Sequence, residues 1–122
     1  MGKVIRQERG WAGHFICGHQ CLFRRNTLLT CGDVRIVIST VGLLPDPLNK
    51  GKFMEIGCNR YYETIAFHSD AKDIRYYDMD VEREVVFDSP WAISEIDADD
   101  KANEMHEKVV KELTQRLESI PQ

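Results

Sequence analysis

The sequence predicts an α+β fold: an antiparallel β-sheet core over about residues 12–88, followed by a long C-terminal helix that packs at a subunit interface. Two observations predict the sheet. Short runs of β-branched and aromatic residues, separated by turn residues, fill the chain up to Pro90, and no helix-length pattern lies between them. Parallel strands need long crossovers, so neighbouring strands must run antiparallel. The third observation is the switch to three- and four-residue apolar spacing after Asp97, which belongs to a helix. Residues 1–122 read as a single domain, with the sheet core over 1–93 and the helix over 97–119.

Within the sheet, residues 13–30 predict two short strands with a bend at Arg24-Arg25-Asn26-Thr27. Leu28 to Cys31 leads through Gly32-Asp33 into Val34-Arg35-Ile36-Val37-Ile38-Ser39-Thr40-Val41 as a hairpin. That second strand is apolar on both faces at its centre, which predicts a buried, central position. Residues 44–52, rich in Pro, Asp, Asn and Gly, read as a surface loop. Phe53 to Ile56 and Arg60 to His68 read as strand, with Arg60, Tyr62, Thr64, Ala66 and His68 on one face and Tyr61, Glu63, Ile65 and Phe67 on the other. Strands over Ile74–Met79 and Val81–Phe87 complete the sheet, which Pro90 closes.

The helix carries Ala102, Met105, Val109, Leu113 and Leu117 on one stripe, with Ile120 just beyond, and Asp97, Asp99 and Asp100 at its start, where the macrodipole favours acids. About 20 residues of helix extend about 30 Å. That length exceeds what a small sheet needs for cover, so the projecting end predicts a homo-oligomer, a dimer or a hexamer; a helix lying flat on its own sheet is the alternative.

Net charge is −4, unevenly spread: residues 1–60 hold nine Lys/Arg against four Asp/Glu, whereas residues 61–122 hold seven against sixteen. A duplex nucleic-acid binder shows a broad basic face, which this distribution does not offer, whereas a small anionic ligand suits a locally basic front half. Attraction between the two halves of the chain explains the same asymmetry. No apolar run approaches the roughly 20 residues that span a bilayer, so no membrane partner is expected. With no apolar stretch behind the N-terminal charges, a cytoplasmic location is expected, in the host bacterium on the resemblance given below. The four cysteines, Cys17, Cys21, Cys31 and Cys58, lack the paired spacing of zinc ligands and read as small hydrophobes in a reducing compartment, so no metal is expected.

The residues that suit binding are arginines and aromatics. Arg24, Arg25 and Arg60 suit phosphate oxygens, Trp11, Phe15, Phe87 and Trp91 offer flat faces for a base, and the Asn103 amide both donates and accepts. No phosphate-binding glycine loop, nucleophile elbow or metal-protease motif is present. His106, near Asn103 on the helix, is a candidate general base, although a lone helical histidine is more often a surface or interface residue. The chain therefore reads as a binder with no catalytic residues and no cofactor.

Arg9-Gly10-Trp11-Ala12-Gly13-His14-Phe15-Ile16, Phe23-Arg24-Arg25-Asn26-Thr27-Leu28, Val37-Ile38-Ser39-Thr40-Val41-Gly42, Asn59-Arg60-Tyr61-Tyr62-Glu63-Thr64, Phe87-Asp88-Ser89-Pro90-Trp91 and Ala102-Asn103-Glu104-Met105-His106-Glu107 together resemble the first described type of phage-encoded Thoeris anti-defence sponge. The resemblance covers most of the chain. Members of that family are not enzymes; they capture glycocyclic ADP-ribose, the cyclic ADP-ribose isomers made by bacterial TIR-domain proteins. Some also hold the cyclic oligonucleotides of CBASS defence at a separate site in a hexamer. The resemblance implies contact with the ADP-ribose isomer by Trp11, Arg60, Phe87, Trp91 and Asn103, near a sheet–helix junction at a subunit boundary, and contact with a cyclic oligonucleotide by Arg24, Arg25 and Thr27. The alternatives are an inhibitor that binds a host protein through the acidic surface of residues 78–100, and an enzyme that cleaves the same nucleotides.

Overall fold

The computed structural model describes residues 3–10, 13–15 and 17–120. Strands β1 (Ile5–Arg9), β2 (Phe23–Cys31), β3 (Val34–Gly42), β6 (Tyr62–Ser69) and β7 (Met79–Val85) lie side by side in that order, every pair antiparallel, and β8 (Ala92–Ile93) adds to the start of β6. Two-residue strands β4 (Leu44–Pro45) and β5 (Phe53–Met54) form a separate ribbon. One helix, α1 (Asp99–Glu118), follows. The α+β expectation thus holds, and β3 is central and almost wholly buried, as its two-faced apolar pattern predicts.

Four expected elements differ. Of the two short strands expected over 13–30 only one forms among the described residues, Phe23–Cys31; ahead of it Gly18–Gln20 is a 3-10 turn, in which the Phe15 carbonyl accepts the Gly18 N–H at 2.7 Å and the Gly18 carbonyl accepts the Cys21 N–H at 3.1 Å. There is no bend at Arg24-Arg25: β2 runs unbroken for nine residues, because every position from Phe23 to Cys31 pairs with β3 and positions Asn26 to Thr30 also pair with β1. Pairing with β3 carries the strand straight through Arg24 and Arg25, which as neighbours on a strand point to opposite faces. Ile74 to Asp78 is turn, not strand, tied by Asp73, whose carboxylate accepts the Tyr76 N–H at 3.0 Å and whose carbonyl accepts the Tyr77 N–H at 2.9 Å. Pro90 does not close the sheet either; the chain returns after it as β8, and the Trp91 carbonyl accepts the Thr64 N–H at 2.8 Å. The surface loop expected over 44–52 holds except at its first two residues, where Leu44 is buried in β4.

Helix α1 lies on its own sheet and spends its apolar stripe there. Val109, Val110, Leu113 and Leu117 pack on Leu29, Ile36, Ile38 and Ala66. Nearer the helix start, Ala98, Ala102 and Met105 pack on Phe23, Leu43 and Tyr62. Ile120, expected to extend the stripe, is exposed. On the opposite face of the sheet Cys21, Leu44 and Ile56, with Phe15 and Cys17, pack around Val41.

The helix begins without a side-chain cap. Ala98 stands at the cap position, and the Tyr62 hydroxyl takes over: it accepts the Ala98 N–H at 2.9 Å and donates to Asp99 Oδ1 at 2.7 Å. Burial and the neighbouring Asp99 carboxylate push the Tyr62 phenol well up, so it remains a donor at any working pH. Gly42 passes directly over the Tyr62 ring, where an added Cβ would lie 2.2 Å from a ring carbon.

Between the two apolar patches under α1 runs a polar seam. His106, expected at a surface or interface, is fully buried, with Nε2 2.7 Å from Thr27 Oγ1 and Nδ1 2.6 Å from Thr40 Oγ1. Thr40 Oγ1 is in turn 2.6 Å from Thr64 Oγ1, its direct cross-strand partner, and Thr27 donates its hydroxyl proton to Glu8. With the ring neutral, only one arrangement satisfies the whole chain. A Thr27 proton given to the Glu8 carboxylate leaves Thr27 to accept from Nε2–H; Nδ1 then accepts from Thr40, and Thr40 accepts from Thr64. Burial favours the neutral imidazole, and the chain then places its proton on Nε2. Burial, then the Arg25 charge, lowers its pKa from 6.5 to about 4.

A histidine that binds its proton near 6.5 when unfolded and near 4 when folded costs stability as pH falls through that interval, and nothing above it. A shift of that size corresponds to about 3 kcal/mol. In acid titrations followed by circular dichroism with urea, the wild type should lose stability steeply between pH 6.5 and 4.5. His106→Gln should be less stable at pH 7 by about 1–3 kcal/mol and show a shallower fall over that interval. Parallel curves for the two proteins would exclude the buried neutral imidazole as the source.

Candidate functional site

Three of the expected ligand contacts come together. Arg60, Phe87 and Trp91 line one cleft of about 360 Å³, with Thr64, Ile65 and the segment from Glu84 to Val86, beside β6 where the chain leaves β7 and returns as β8. The separation of β7 from β8 opens the cleft: β7 pairs with β6 only from Ala66 onward, β8 only at Tyr62 and Glu63, and Val86 to Trp91 arches between them. The helix fixes the arch. Glu112 accepts the Asp88 and Ser89 N–H groups, each at 2.8 Å, and the Ser89 hydroxyl at 2.6 Å, while Arg116 Nη1 donates to the Val86 carbonyl at 2.7 Å. Phe87 rests partly on the main core, and Trp91 is exposed.

Arg60 is the built element of this cleft. Its chain carbonyl accepts the Ile56 N–H, closing a turn in which Asn59 takes the left-handed φ of 58°. The guanidinium folds back over that turn. It rests against Gly57, where an added Cβ would lie 2.4 Å from Cζ, and its Cζ stands 4.8 Å from the centroid of the Trp91 ring. Nε donates to Glu63 Oε2 at 2.8 Å. A backbone on one side, a ring near the other and a carboxylate at Nε hold the plane with few rotamers left to it, which is the preorganisation an anion site needs.

Behind Arg60 lies a buried brace. Glu63 Oε1 is 3.0 Å from His14 Nε2, and Ser39 Oγ is 3.0 Å from His14 Nδ1 and accepts the His14 N–H at 3.2 Å. Burial alone would raise the Glu63 carboxyl, but the bonds from His14 and Arg60 outweigh it and hold Glu63 below the usual carboxylate range. The order serine–histidine–glutamate resembles a nucleophilic triad in connectivity alone; Ser39 is fully buried, so its hydroxyl meets no substrate. The array orients Arg60.

The other expected contacts lie elsewhere. Trp11 lies outside the described residues. Asn103 is not in the cleft; its Oδ1 stands 3.5 Å from Arg25 Nη1. Arg25 also pairs with Glu8 at 2.8 Å and Glu107 at 2.9 Å, and Arg6 pairs with the same two carboxylates. Bonds from Arg6 first, and from Arg25, pull Glu107 down to about 2. Arg24 points to the opposite face of β2, exposed, and Thr27 is buried in the polar seam, so Arg24, Arg25 and Thr27 do not form one face. Among the described residues, no three His, Cys, Asp or Glu side chains gather as a metal-holding group, and no helix is long and apolar enough to cross a membrane. His14, Gly57 and Glu63 escaped the sequence reading as site residues, because their contributions depend on a turn and a strand meeting in space.

The fold and cleft define an α+β protein, one helix over an antiparallel sheet, with an arginine–aromatic cleft beside the sheet's broken edge. No protein-family model matches the chain, and neither does any curated protein or solved structure.

Gly57→Ala should expel the guanidinium and leave the fold intact, because the atom displaced is the far end of a flexible side chain. Unfolding free energy should change by less than about 1 kcal/mol. Trp91 emission, isolated by difference against Trp91→Phe, should shift as the cation leaves the ring. Unchanged emission would show that Arg60 is not held where the geometry puts it.

Proposed function

We propose that the chain binds and sequesters a small cyclic nucleotide signal, glycocyclic ADP-ribose in the first instance, without cleaving it. The observation that carries the reading is the meeting of Arg60, Phe87 and Trp91 in one cleft. Its volume of about 360 Å³ falls within the roughly 300–1,000 Å³ of small-molecule sites. A preoriented guanidinium suits a pyrophosphate, and an aromatic wall suits adenine. The cleft offers Glu84 as a carboxylate, and no general base stands beside an exposed nucleophile among its lining residues. On this reading the protein acts in the host bacterial cytoplasm and keeps a TIR-derived signal from its effector. A homo-oligomer belongs to the same proposal: Asn103, remote from its own cleft, would act on ligand in a neighbouring copy.

Wild type incubated with glycocyclic ADP-ribose, freed of excess ligand and heat-denatured should release the ligand at unchanged mass. Arg60→Ala should release at least tenfold less. Ligand of altered mass, or none retained by the wild type, would overturn the proposal. Native mass spectrometry reads the assembly in the same sample, and a monomer with full ligand occupancy would remove the role given to Asn103.

A further inference from the structure

A larger cavity, of about 490 Å³, opens at the far end of the sheet, where the β2–β3 turn meets the connection from β6 to β7. Arg35, His68 and Arg83 line it together with Asp33, Ser69, Asp70 and Tyr77. Three cationic or protonatable side chains from three different strands converge there.

Arg35 and Arg83 differ from Arg6, Arg25 and Arg60 on the same sheet. Arg6 and Arg25 spend their charge on Glu8 and Glu107, and Arg60 gives Nε to Glu63. Arg35 and Arg83 have no carboxylate within ion-pair distance among the described residues; Arg35 instead lies over the Tyr77 ring, with Cζ 4.2 Å from its centroid. Burial lowers the pKa of His68 and the Arg83 charge lowers it further, while the Asp80 charge works the other way.

The cavity wall is built. Tyr77 takes the left-handed φ of 51° and is held there from both sides: Arg9 Nη1 donates to the Tyr76 and Tyr77 carbonyls, and the Tyr77 N–H donates to Asp73. The Asp70 N–H closes the loop on the Asp78 carbonyl at 2.6 Å. A buried arginine that anchors a nine-residue connection, and through it the ring that steadies Arg35, costs desolvation and secures one loop geometry.

We propose that this cavity is a second ligand site, independent of the Arg60 cleft, for a phosphorylated polyol such as a sugar phosphate. Arg35, Arg83 and His68 take the phosphate, and a guanidinium pair suits its oxygens in a way a single lysine would not. Asp33, Asp70 and Ser69 take hydroxyls, which carboxylates accept well and a bare phosphate lacks. The mixed sign of the wall selects a ligand with an anion at one end and donors at the other, and it disfavours a polyanion.

Isothermal titration with ribose 5-phosphate, ribose and inorganic phosphate tests this. Ribose 5-phosphate should bind the wild type at least tenfold more tightly than inorganic phosphate, and ribose should not bind measurably. Arg83→Gln, at an exposed position on β7, should weaken ribose 5-phosphate at least tenfold with an unchanged thermal midpoint; Arg35→Gln should do the same with a looser loop. Arg60→Ala should leave this binding unchanged. No binding by the wild type, binding indifferent to Arg83→Gln, or equal binding of ribose would overturn the proposal. Loss in Arg60→Ala but not in Arg83→Gln would overturn it too, by moving the ligand to the other cleft.

Discussion

The neutral imidazole of His106 is the constraint around which the helix–sheet interface is organised. A buried polar group without partners costs about 1–3 kcal/mol, so a histidine at the centre of a helix–sheet interface must have both ring nitrogens satisfied. Here each nitrogen meets a threonine, and the hydroxyl chain is directed by the Glu8 carboxylate at its end. Such a seam has one satisfied register. Sliding β2 against β3, or rotating α1 about its axis, would leave several hydroxyls and an imidazole unpaired in an apolar layer. The apolar contacts on either side tolerate small displacements because burial is not directional. The seam is directional, and it fixes which helical turn stands over which strand pair.

That fixed helix in turn shapes the cleft. Glu112 and Arg116 lie on the turns after His106 and hold the arch from Val86 to Ser89 by its backbone. An arch tied at the backbone keeps Phe87 and Trp91 at a set distance from β6, and Arg60 reaches into the gap from the other side. The path from His106 to the cleft therefore runs through hydrogen bonds to main-chain atoms, with little dependence on the side chains of the arch itself. Substitutions at Asp88 or Pro90 would change the surface of the cleft more than its shape.

Much of the fold is legible in the sequence because periodicity is a local signal. The central strand, the Gly32-Asp33 hairpin, the face assignment along β6 and the apolar stripe of α1 all follow from alternation or from three- and four-residue spacing. Two adjacent arginines suggest a break in the chain, but charge alone does not make one. Ladder bonds to β3 continue through both arginines, and β2 sends one to each face. Ile74 to Asp78 misled in the opposite sense: its aromatics suit a strand, but Asp73 captures the backbone donors before a ladder can. Of the cleft, Arg60, Phe87 and Trp91 were legible as residue types suited to a nucleotide. Gly57, His14 and Glu63 were not, since a glycine that seats a guanidinium and a carboxylate that orients it carry no pattern along the chain.

The distribution of arginine charge links the folded core to the two cavities. The basic front half and acidic back half of the chain meet at Arg6, Arg25, Glu8 and Glu107, so part of the asymmetry visible in the sequence is consumed in docking α1 against β1 and β2. Those pairs lie at the solvent edge and contribute modestly to stability. They also withdraw two arginines from ligand chemistry. Of the other sheet-side arginines, Arg60 stands at the gap between β7 and β8 and Arg35 and Arg83 at the end beyond the helix, while Arg9 anchors the β6–β7 connection and Arg24 is exposed on the opposite face of β2. Among the described residues, α1 packs on one face of the sheet, and Phe15, Cys17, Cys21, Leu44 and Ile56 pack on the other, so the two cavities open at a gap and an end of the sheet. Arg83 and Arg35, the latter steadied by the Tyr77 ring, stand at one such opening, and Arg60 at the other is held in place by a glycine, a ring and a carboxylate.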